Sequence, residues 1–141
     1  MNSTRPRPCR SHAGFTLVEC ATACAVAGLL AASALPSLQG HQLRAARIDA
    51  VAALTRVQAE QEKHRELHGL YASDLAVLRG VAPTSAQGRY TLALEKTGAD
   101  TYRATATAAG VQVKDQACPA LTLEVNSGFP RHGPSAACWN R

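Results

Sequence analysis

The stretch AGFTLVECATACAVAGLLAASALPSL, Ala13 to Leu38, places a single carboxylate, Glu19, near the start of a run that is otherwise free of charge from Phe15 onward. From Cys20 to Leu38 the uncharged residues would span roughly 28 Å as a helix, close to the hydrocarbon thickness of a bilayer. The expectation is a membrane-spanning helix over residues 15–38. Ahead of it the leader MNSTRPRPCRSHAG, residues 1–14, holds Arg5, Arg7 and Arg10 and no acid. That bias puts the N-terminus in the cytoplasm and the remainder outside. A small Ala-Gly pair precedes the apolar run instead of following it, so a cut there leaves the helix on the mature chain. Without a cut, the same pattern describes a signal-anchored binding module.

Working outward, 141 residues suffice for one domain, and 46% hydrophobic with only 4% aromatic content predicts a small core. The net charge of +5 comes largely from the leader, since the chain beyond it carries twelve Lys or Arg against ten Asp or Glu. Over residues 39–68, Ala46, Ala50, Ala53 and Val57 recur on one side, widened by Leu43, Val51 and Leu54. Arg44, Arg47, Asp49, Arg56, Glu60, Glu62 and Lys63 fall to water. This predicts an amphipathic continuation of the helix, with Pro36, Ser37 and Gly40 able to kink or melt it and Gly69 as its stop. Residues 69–88 read as a connecting loop with a short helical piece, SDLAVL, capped by Ser73 or Asp74.

The period then changes to two. RYTLALE aligns Tyr90, Leu92 and Leu94; TYRATATA aligns Tyr102, Ala104 and Ala106; KTGAD between them is turn chemistry. VQVKD and LTLEV complete three or four antiparallel strands within residues 89–141. Against the helix stripe they make a two-layer α+β roll.

GFTLVE, with basic residues upstream and an apolar run downstream, resembles the prepilin signature of type IV pilins and of the pseudopilins of type II secretion. The resemblance implies cleavage between Gly14 and Phe15 by a prepilin peptidase and N-methylation of Phe15. Pro36 falls where many pilins kink this helix. It also implies a type IV pilin-like roll: a long N-terminal helix, its first half in the membrane, packed on a sheet with a disulfide-closed C-terminal loop. Cys9 lies in the leader, and Cys20 and Cys24 lie in the helix, whose geometry disfavours linking them. Cys118 and Cys138 remain for a bond in an oxidising compartment, worth about 3 kcal/mol by loop closure. The tail DQACPALTLEVNSG…CWNR is similar to that of PilE-like minor pilins, as is LHGLYASDL, although those relatives often have aromatics where His64 and Arg65 stand.

No motif points to catalysis or a cofactor. There is no phosphate loop, no Gly-x-Ser-x-Gly and no CxxC pair, so the chain is not expected to be an enzyme. His64 and His68 in HRELH have metal-ligand spacing, but Arg65 stands where a zincin needs glutamate and no third ligand is near, so two solvated histidines and no metal are expected. The resemblance implies a minor pilin serving pilus biogenesis, adhesion or twitching motility. Its partners would be the peptidase, other pilin subunits, membrane lipid before extraction, and an inner-membrane platform linked to assembly ATPases. The precursor would sit in the bacterial inner membrane and the product in an extracellular pilus or a periplasmic pseudopilus.

A type II secretion pseudopilin is one alternative. A DNA-uptake minor pilin is another, with Arg79, Arg89, Arg103, Lys114, Arg131, His132 and Arg141 as candidate contacts and Arg131, His132 and Arg141 in or beside the disulfide loop the first to test.

Glu19 is expected to set axial register. A lone carboxylate in an apolar helix costs about 2.5–3.5 kcal/mol on insertion scales, and a neighbouring subunit's Phe15 ammonium would relieve that cost. Glu19→Gln should therefore reduce filament yield in sheared surface fractions; assembly at the wild-type level would remove this role.

Overall fold

The computed structural model describes residues 16–140, the side chains of 33–37 excepted. Gly14, Phe15 and Arg141 lie outside the described residues, as do the leader and the expected cleavage. Contacts divide the chain into Met1–Ser37 and Leu38–Arg141, taken separately below. The helix α1 runs Leu17–His68. It remains helical through Pro36, Ser37 and Gly40, so nothing there melts it.

In the first unit Leu17, Val18, Val26, Leu29 and Leu30 are exposed, as are the free thiols of Cys20 and Cys24. The Glu19 amide is held by the Thr16 hydroxyl at 3.3 Å. The expected membrane span is not supported: among the described residues no helix is long and apolar enough to cross a membrane.

The second unit is α+β, as expected. Four strands, β1 (Tyr90–Lys96), β2 (Thr101–Ala108), β3 (Ala120–Asn126) and β4 (Phe129–Gly133), form an antiparallel sheet in chain order. Alternation explains the first three: Tyr90 and Leu92; Tyr102, Ala104 and Ala106; and Leu121, Leu123 and Val125 are buried on one face. From α1, Ala50, Leu54 and Val57 join them in a single core with Tyr71, Leu78 and Trp139. Alanines at 50, 104 and 106 leave room for the three buried tyrosines. Tyr71 meets Tyr102 edge to face, with centroids 4.8 Å apart.

Helix α1 ends where predicted, at Gly69 with φ +75°. The short 3-10 turn Leu75–Val77 is capped by Asp74, whose side chain accepts from the Ala76 amide at 3.0 Å. Cys118 and Cys138 are bonded, with Cα atoms 5.6 Å apart.

Three expectations are corrected. VQVKD is not a strand but a 3-10 turn, Gly110–Lys114, in which Gln112 is buried and the two valines exposed, the reverse of its alternation. The Gln112 amide bonds the Leu43 carbonyl of α1 at 3.0 Å, and that contact overrides the apolar pattern. FPRHG, which lacks alternation, is a strand; it lies at the sheet edge, where a proline is tolerated.

Finally, Arg47 and Asp49 are buried rather than solvated. Arg47 grips Asp115 through Nε at 2.7 Å and Nη2 at 2.8 Å and gives Nη1 to the Ala137 carbonyl at 3.1 Å. The hydrogen bond to Asp115, working against desolvation, holds the guanidinium above its usual pKa. Gln61, also buried, exchanges two bonds with the Ala72 backbone, 3.0 and 2.8 Å, and so fixes the return of the chain after α1.

Breaking a buried ion pair from one side leaves the other charge unpaired. Asp115→Ala should lose about 3–5 kcal/mol in denaturant unfolding. Glu124→Ala, which breaks the half-exposed Arg103–Glu124 pair, should lose about 0.2–1 kcal/mol. All three tyrosines of the chain have raised pKa values, in each case chiefly through burial, with the Glu62 hydrogen bond adding to it at Tyr71. Because the unfolded state releases these protons first, stability should be intact below about pH 10 and fall as pH rises above it. Tyrosinate absorbance should appear only together with loss of circular dichroism; a tyrosine that titrates in the folded chain would contradict this burial.

Candidate functional site

Positions 42, 45, 49, 52, 56, 60, 63 and 67 of α1 recur at steps of three or four and share one face. The segment from Val77 to Arg89 runs beside that face. Where the two meet lie three grooves of about 490, 200 and 340 Å³. The first is lined by Lys63, His64, Leu67, His68, Val77 and Arg79, among others. The second has Ala52, Arg56, Gly80 and Ser85, and the third has Gln42, Ala45, Ile48, Gln87 and Arg89. From the level of Ala46 to Lys63 this seam extends roughly 26 Å along the helix.

Asp49 organises its middle. Its carboxylate accepts from the Ser85 hydroxyl at 2.5 Å and the Gln87 amide at 3.3 Å. Ser85 in turn accepts from the Tyr90 amide at 3.0 Å, and backbone bonds Ser85 to Tyr90 and Gly88 to Ser85 close the turn at 2.9 Å each. The turn therefore presents Gln87 and Arg89 from a fixed base. At its other end Gly80, with φ +72°, lies against Arg56: a Cβ there would stand 3.1 Å from the Arg56 guanidinium. A side chain at Gly80 would displace that cation.

The charge along the seam is one-sided. Asp49 is spent on the turn, and Glu60 closes on Lys63 at 2.6 Å. Arg56, Arg79 and Arg89 are exposed, and no carboxylate of the described residues forms an ion pair with them.

The structure thus places two of the basic residues expected from sequence, Arg79 and Arg89, on the first and third grooves of one seam, and adds Arg56 and Lys63, to which the sequence reading gives only a solvated role. Their three- and four-residue spacing was visible; the loop that runs beside them was not. Of the others, Arg141 lies outside the described residues and four lie elsewhere. Arg103 and Arg131 sit on the outer sheet face, flanking Glu124 in register, and Arg103 pairs with it at 3.3 Å. His132 packs edge to face on Trp139 at 4.3 Å, and Lys114 ends the turn after β2. Among the described residues no group of three or more His, Cys, Asp or Glu side chains is arranged to hold a metal. His64 and His68 stack in the first groove.

A family profile described as type IV minor pilin ComP, DNA uptake sequence receptor, matches residues 36–122. The chain belongs to this type IV minor pilin family. The matched residues hold most of the second unit, including the whole seam, and stop before β4 and Cys138. No curated protein matches the chain. For the minor pilin, the long helix on a four-stranded antiparallel sheet with a disulfide agrees with the expected roll, and of the two filament readings the family is that of the pilus.

Proposed function

We propose that this minor pilin is processed after Gly14, takes its place among other pilin subunits of a type IV pilus through α1, and captures DNA for uptake along the α1 seam. The observation that carries the reading is the run of unpaired Arg56, Arg79 and Arg89 on the residues that match a family described as a DNA uptake sequence receptor. Phosphate binding gains from several simultaneous cations, and a track of about 26 Å covers about eight base pairs at 3.4 Å each. Arginine suits the task because its planar donors pair with phosphate oxygens in two-point contacts. The grooves between the cations supply concave relief, and Gln87 beside Arg89 adds an amide of the kind that reads base edges.

Arg103 and Arg131 support this reading less well, because Glu124 stands between them on the outer sheet face and would repel a phosphate. Processing at Gly14 with methylation of Phe15, by a prepilin peptidase, and delivery through membrane platform proteins belong to the same reading. They place the working protein in a pilus or at the periplasmic face before assembly.

Fluorescence anisotropy with a short duplex at several salt concentrations tests it. The parent should show log Kobs falling with log salt at a slope of about −2.7 for three phosphate contacts, and each of Arg56→Ala, Arg79→Ala and Arg89→Ala should flatten the slope by about 1. Charge reversal of all three should remove retention at low salt, while Arg103→Glu with Arg131→Glu should leave it in place. Retention unchanged by the seam reversal would sink the proposal.

A further inference from the structure

His64 and His68 occupy adjacent turns at the end of α1, on the wall of the largest groove. The Nδ1 atom of His64 lies 2.9 Å from the Leu70 carbonyl oxygen, and that of His68 lies 3.0 Å from the His64 carbonyl oxygen. A carbonyl only accepts, so in each ring Nδ1 carries the hydrogen and donates it. In the neutral rings both Nε2 atoms therefore keep their lone pairs, the tautomer that metal-bound imidazoles adopt when Nδ1 is tied to a backbone carbonyl. The ring centroids are 4.2 Å apart and the planes only 21° from parallel. Two histidines four residues apart on a helix are surface neighbours, about 5–6 Å apart at their Cβ atoms, which is within reach of one ion bound at about 2.1 Å from each Nε2.

We propose that His64 and His68 chelate a single borderline divalent cation, in the affinity order of copper above nickel and zinc, with its remaining positions open to the groove. Imidazole nitrogens favour these ions over magnesium or calcium. The neighbouring carboxylate, Glu60, is taken by Lys63, and the described residues provide no cluster of three donors. The site is thus half open, filled by water or by a ligand entering the groove, and it exchanges its ion readily. The spacing in HRELH permits this site without the glutamate that a zincin requires, because it binds and does no hydrolysis. It stands independently of the DNA reading.

The test uses the full chain carrying Cys9→Ser, Cys20→Ser and Cys24→Ser, since the three cysteines outside the Cys118–Cys138 bond are themselves ligands for soft metals. Titration with Cu2+ alone should saturate at one ion per chain, and its electron paramagnetic resonance spectrum should show two equivalent nitrogens. His64→Asn and His68→Asn should each weaken binding about 10- to 100-fold, at least the cost of losing an outer-shell partner, and leave one nitrogen. In the unsubstituted histidine background, substoichiometric Cu2+ should broaden the ring proton resonances of His64 and His68 first. A two-nitrogen spectrum that survives in the double variant, single variants that bind like the parent, or broadening that begins at His12, His41 or His132 would each overturn the proposal.

Discussion

The contact on which the second unit depends is the buried pair between Arg47 and Asp115. Desolvating two charges is costly, and such a pair contributes little net stability compared with apolar residues of the same size. What it supplies is position. The guanidinium uses three nitrogens on two separate segments, the carboxylate of Asp115 and the carbonyl of Ala137. These segments lie just before Cys118 and just before Cys138. One side chain of α1 therefore clamps both ends of the disulfide loop, and Gln112 strengthens the clamp by bonding both Asp115 and the Leu43 carbonyl. Any other placement of the tail would leave buried groups without partners, which costs more than the pair gains.

This clamp also explains which parts of the fold could be read from sequence. Residues whose burial follows a period were legible: Ala46, Ala50, Leu54 and Val57 on the helix, and Tyr90, Tyr102, Leu121 and their neighbours in the sheet. The turn signals at Gly69 and Asp74 were legible because their chemistry is local. Arg47, Asp49 and Gln112 were misread because each is a polar residue held inside by a partner far away in the sequence, at separations of 68, 36 and 69 residues. Periodicity contains no information about such partners. The strand β4 escaped because an edge strand with a proline has no pattern to show, and it is held by pairing with β3 rather than by its own preference.

The disulfide was legible for a different reason. With Cys9 in the leader and Cys20 and Cys24 on one helix, only Cys118 and Cys138 were free to meet, and the pilin resemblance agreed. The candidate site was half legible. The basic residues were countable, but whether they converge depends on the path of the 69–88 loop, and that path is set by Gln61 and Asp49 acting through backbone bonds.

Formal charge is consequently a poor guide to the surface of this chain, and the helix shows why. Arg44, Arg47 and Arg56 look alike in sequence, yet Arg47 points at Asp115 and spends its charge inside, whereas Arg56 lies against Gly80 and keeps its charge available. The same division separates Asp49, which builds the turn, from Glu60 and Glu62, which close on Lys63 and Arg65 three residues away. Asp49, Glu60 and Glu62 are thus already engaged by internal partners. That leaves the cations of the seam as a net positive line without requiring a strongly basic protein. Arg56 on the helix, with Arg79 and Arg89 on a segment that buried bonds hold in place, would on the proposed DNA reading lose little conformational entropy when an anionic strand settles on them, and that preorganisation is what a cluster of flexible surface lysines would lack.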